Sequence, residues 1–103
     1  EISIEKIMVF TPAVSKTNTP LFNTITSVSE SVFGAPVVPT VSTGFTDSHF
    51  FRDLGITSYG YSPFAFRPDE FAGVHGNDER VSVRNIVEGI KTFYKVLEDF
   101  TVD

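Results

Sequence analysis

The sequence contains no cysteine, and that single absence removes disulfides and thiolate metal ligands together. Any metal must therefore be held by histidine and carboxylate. The compartment stays undecided, because cytosolic and secreted proteins alike can lack cysteine; the missing signal-peptide pattern tips the balance to the cytoplasm. An excess of positive charge is missing too. The net charge is −5 and the eight Lys and Arg residues are dispersed, which excludes nucleic acid as a partner. No apolar run approaches the roughly 18 to 20 residues of a membrane span, and no basic amphipathic stretch suits a membrane surface. The chain begins Glu1-Ile2-Ser3-Ile4 without methionine, so it is expected to be a processed product or a piece of a longer protein. At 103 residues and 41% apolar it can fill one modest core.

Several elements are legible in what is present. Residues 2–10 are rich in β-branched residues and predict a strand. A Ser/Thr-rich linker follows to Asn18. Thr19-Pro20 then supplies an N-cap and a proline at the first helical position; Leu21, Ile25, Val28 and Val32 repeat at helical spacing, and Gly34 followed by Pro36 gives a stop. Residues 37–42 predict a short strand near a sheet edge, because Pro39 cannot donate to a ladder. A turn at residues 44–48 leads to a short helix over about His49 to Leu54, closed by Gly55. Residues 56–61 predict another strand. Residues 62–81 form a long loop, and Ser82 caps a last helix with an apolar stripe of Val83, Ile86, Val87, Ile90, Phe93, Tyr94, Leu97 and Phe100. Helices alternating with short apolar strands predict an α/β fold, a three-layer arrangement around a sheet.

The candidate chemistry begins with His75, in Gly73-Val74-His75-Gly76-Asn77-Asp78-Glu79-Arg80. It stands in a polar loop between glycines that would let a ligand or metal approach closely, and imidazole is the commonest neutral metal ligand. The plainer reading is a satisfied loop histidine. His49 is the only other histidine, and neither has a paired-ligand spacing, so no complete metal site can be assembled from this chain. Gly44-Phe45-Thr46-Asp47-Ser48 lies at a strand-to-helix junction, where free amides favour an anionic group; Asp47 serving only as an N-cap is the alternative. Asp78-Glu79 reads as solvated charge or as support for a neighbouring ligand. No Gly-x-Ser-x-Gly elbow supports a serine nucleophile.

These motifs, taken with Gly55-Ile56 and Tyr59-Gly60-Tyr61-Ser62-Pro63 between them, resemble the C-terminal part of the M20 zinc metallopeptidases, a family that includes carboxypeptidases of the carboxypeptidase S type, aminoacylases and N-acyl-amino-acid hydrolases. The resemblance runs continuously from about Val38 to Phe100. It implies that residues 1–12 end an inserted lid, or dimerisation, domain and its linker, and that residues 13–103 are the C-terminal segment of the catalytic domain. His75 matches a ligand to one of two bridged zinc ions. Thr46 and Asp47 match the rim of the substrate pocket, and Glu79 matches an acidic position that supports the site rather than ligating. Many members carry arginine where this chain has His49, so His49 is given no catalytic role.

The implied reaction is hydrolysis of an amide bond next to a free carboxylate, on a dipeptide, a C-terminal residue or an N-acyl amino acid. The catalytic glutamate and the other ligands of such enzymes lie in the N-terminal half, so no catalytic residue is expected here and the fragment alone is expected to be inactive. A homodimer is among the assemblies implied, and excision is expected to expose apolar surface that promotes self-association. The competing expectation is a non-catalytic scaffold or interaction module with the family's shape.

Overall fold

A computed structural model describes residues 2–7, 9–42 and 44–102. The chain divides into two compact units. One joins Glu1–Lys16 to Thr40–Gly60, and the other joins Thr17–Pro39 to Tyr61–Asp103. Regular structure among the described residues is helical throughout: α1 (Pro20–Phe33), α2 (Ser48–Asp53), α3 (Pro68–Phe71) and α4 (Val83–Thr101).

In the second unit, α1 forms where its caps require. The Thr19 hydroxyl accepts from the Phe22 amide (3.2 Å), Pro20 occupies the first turn, and Gly34 ends the helix in the left-handed region (φ 65°) with its amide on the Glu30 carbonyl. Helix α4 starts at Ser82, whose hydroxyl accepts from the Asn85 amide (3.3 Å). Its exposed Glu88–Lys91 and Lys95–Asp99 pairs (3.1 and 3.2 Å) add a few tenths of a kcal/mol each at most.

Helices α1 and α4 pack together, and the surface α4 buries is not its apolar stripe. The buried residues are Asn85, Gly89, Thr92 and Val96, opposite Ile25, Val28 and Ser29 of α1. The whole stripe from Val83 to Phe100 is exposed, Ile90 at 61% and Phe93 at 47%. Close approach explains the choice. Gly89 has no side chain, and the Phe64 ring lies where its Cβ would stand. Asn85 accepts the Ala65 amide (3.0 Å), and Ser29 shares a hydrogen bond with Tyr61 (3.0 Å).

In the first unit, α2 is tied down by one arginine. Arg52 donates to the Ser15 hydroxyl (3.1 Å) and the Ser58 carbonyl (2.7 Å), while Ser15 and Ser58 also bond each other. Phe10 stacks on Phe45 (centroids 4.6 Å apart) and meets Phe50 edge-on.

The expected three-layer α/β fold is overturned. No strand or bridge occurs among the described residues. The segments 2–10, 37–42 and 56–61 have strand-like composition, but none is brought alongside another in a hydrogen-bonded ladder. β-propensity measures fit to a pleated, half-buried surface, and here Ile2, Ile4 and Ile7 are about nine-tenths exposed and Val38 and Val41 about three-quarters. Met8, within the first of these segments, lies outside the described residues. Helices α1 and α4 fall where their capping signals put them, and α2 lies one residue before its expected bounds. Helix α3 interrupts the segment expected to be a continuous loop.

Candidate functional site

His75 sits on the turn that continues from α3. The Gly73 amide bonds the Glu70 carbonyl (3.2 Å), the Val74 amide the Phe71 carbonyl (3.3 Å), and the Gly76 amide the Gly73 carbonyl (2.9 Å). Both His75 and Asp78 adopt φ +61°, a left-handed conformation that costs most residues free energy and that His and Asp accept more readily than others. The imidazole is exposed and has no hydrogen bond among the described residues. Of the flanking glycines, Gly76 is the tighter: a Cβ there would press on the Gly73 carbonyl oxygen at 3.3 Å, whereas one on Gly73 would stand in ordinary contact with its neighbours. Glu79 is exposed.

The residue that organises this loop is one the sequence did not single out. Glu70, in α3, is 2% exposed. Its carboxylate accepts from the Arg67 amide (2.9 Å) and the Ser82 amide (2.7 Å). Those two amides, and secondarily the Ser82 hydroxyl and the Arg67 charge, hold its carboxyl below the usual range despite burial, which acts the other way. A signal was present: proline at the first helical position with glutamate two residues later marks a helix start.

This gives a pH dependence. The folded state holds the Glu70 proton less tightly than the unfolded chain, so the stabilisation is complete above the ordinary glutamate value and is lost as pH falls through the lower folded one. Melting followed by circular dichroism should show stability falling on acidification from about pH 5 to pH 3, less steeply in E70Q. Equal slopes in the two proteins would refute this.

In the first unit, Thr46 and Asp47 are exposed. Asp47 occupies the N-cap position of α2 but makes no side-chain capping bond; only its carbonyl is used, by the Phe50 amide (3.1 Å). Helix α2 is six residues long, too short for its dipole to hold an anion strongly. Thr46 lines a cavity of about 680 Å³ together with Phe10, Val14, Val41, His49 and Arg52. His49 pairs with Asp53 (3.0 Å), and its ring packs edge-on against Phe10.

Residues 1–99 match the sequence model of peptidase family M20/M25/M40. The chain belongs to this family. It is 31% identical over 65 residues to the human N-fatty-acyl-amino acid synthase/hydrolase PM20D1, covering 63% of this chain and 13% of that protein. The mouse protein of the same name is 30% identical over 63 residues (61% and 12%), and that of Xenopus tropicalis 36% over 61 residues (59% and 12%). The matched span is thus about an eighth of these relatives' length. No solved structure gives a significant match.

Enzymes of the M20 family are generally zinc-dependent. No group of three or more His, Cys, Asp or Glu side chains is placed to hold a metal ion among the described residues. The described residues therefore make up no complete zinc site, and the exposed His75 imidazole is spent on no other partner among them.

Proposed function

We propose that this chain is the C-terminal segment of an M20-family hydrolase that cleaves an amide bond next to a free carboxylate. N-acyl amino acids are the favoured substrate class, with dipeptides and C-terminal residues as the alternatives. The match over residues 1–99 carries this reading, and the names of the PM20D1 relatives favour the substrate class. In it, residues 1–12 end the lid domain, through which the protein pairs as a homodimer, and residues 13–103 belong to the catalytic domain.

His75 offers its imidazole to zinc held jointly with ligands outside this chain. When bound, the metal supplies an activated water and a polarised carbonyl. Thr46, from the wall of its cavity, and the adjoining Asp47 contact substrate at the pocket rim, and Glu79 supports the metal-binding loop. The test is metal dependence in the full-length protein. Chelation should stop hydrolysis of an N-acyl amino acid and added zinc should restore it, while the 103-residue chain alone should show no turnover. Undiminished hydrolysis by the chelated protein, or turnover by the isolated chain, would refute the reading.

A further inference from the structure

Residues 67 to 82, made of α3 and the turn that follows it, form a segment whose two ends are held by one side chain, and His75 stands near its middle. One Glu70 oxygen accepts from the amide of Arg67, where α3 begins; the other accepts from the amide of Ser82, where α4 begins. A second tie runs through Asp69, whose Oδ2 accepts from the guanidinium groups of Arg67 and Arg80, both at 3.2 Å. Asp69 is half exposed, and such surface pairs contribute little. Glu70 is of a different kind. It is buried, and removing it leaves two backbone donors short of an acceptor.

The turn between the two ends is held by single backbone hydrogen bonds, yet it keeps His75 and Asp78 in left-handed conformations. Conformations of that kind persist only where the surroundings over-determine them. Glu70 is the buried group that joins the two ends of the segment carrying them. It fixes the start of α3, from which the turn continues, and the amide at which the loop ends.

We propose that Glu70 is a positioning residue for His75, its carboxylate setting the loop geometry from which the imidazole is presented. The proposal rests on the reading of His75 as a zinc ligand. Amide-exchange NMR on this chain tests the clamp without metal. In E70Q, exchange at Ser82 and at Gly76 should quicken about tenfold, while Val28 in α1 exchanges as in the wild type. E70D keeps the charge but is too short to span both amides; it should give the same local pattern and is the variant to read if E70Q does not fold. Unchanged exchange at Gly76 would overturn the proposal, and so would equal acceleration at all three amides, which would mean a general loss of stability.

The full-length protein separates this idea from the one beneath it. There E70D should weaken zinc binding about tenfold, the low end of what supporting residues contribute, whereas H75N should remove it. Loss of zinc in H75N with wild-type affinity in E70D sinks the positioning role alone. Full zinc binding by H75N sinks the ligand assignment and the positioning role with it.

Discussion

Replacing His75 in the full-length protein should lower zinc affinity by more than 100-fold and take hydrolysis down with it. Residues that merely orient a metal ligand contribute 10- to 100-fold, so loss of the ligand itself must exceed that. The choice of replacement matters, because position 75 is left-handed. Alanine there incurs roughly 1–2 kcal/mol of backbone strain, which would loosen the loop and confuse loss of the ligand with loss of shape. Asparagine accepts the conformation. H75N and H75A should therefore lose zinc equally, while only H75A lowers the melting temperature of the apo chain. Zinc content by mass spectrometry and melting by circular dichroism read the two effects apart. Zinc retained in H75N would show that the imidazole is no ligand.

Gly89→Ala should destabilise the chain by about 1 kcal/mol net, against the usual rule for helices. In an exposed helix interior, alanine gains about 1 kcal/mol over glycine. Here the added methyl would occupy the position of the Phe64 ring, and overpacking of that kind costs about 1–3 kcal/mol, occasionally more. The clash should win. Phe64→Ala reverses the sign: with the ring gone, G89A should stabilise by about 1 kcal/mol, the bare propensity difference. Urea denaturation of the four proteins of this double-mutant cycle measures the coupling. A stabilising G89A in the wild-type background would mean that the ring does not rest on the helix.

The same helix shows where sequence reading reaches and where it stops. Ser82 and the long periodic run of apolar residues place α4 correctly, since capping and amphipathic period are local properties. They say which face is apolar but not what lies against it. Three of the four buried residues of α4, Asn85, Gly89 and Thr92, are types that carry no hydrophobic signal. Strand composition misled for a related reason: Ile2, Ile4 and Val41 suit a sheet, but a ladder needs a neighbour, and none pairs with them among the described residues. In the candidate site, the motif around His75 made the family legible, and the match over residues 1–99 bears that out. The left-handed backbone of His75 and the Glu70 clamp were not legible: a positive φ leaves no mark in a histidine, and the clamp depends on two amides brought together across fifteen positions of chain.

The outward face of α4 has a consequence for how this polypeptide behaves in a cell or a test tube. From Ile86 to Phe100, seven large apolar side chains, all more than a third exposed, line one side of a well-formed helix. A molecular chaperone or an amphiphilic dye senses such a row rather than the order behind it, and responds as it would to a nascent chain. Dye fluorescence, the customary sign of a molten state, should therefore be strong on this chain even where circular dichroism reports its helices intact.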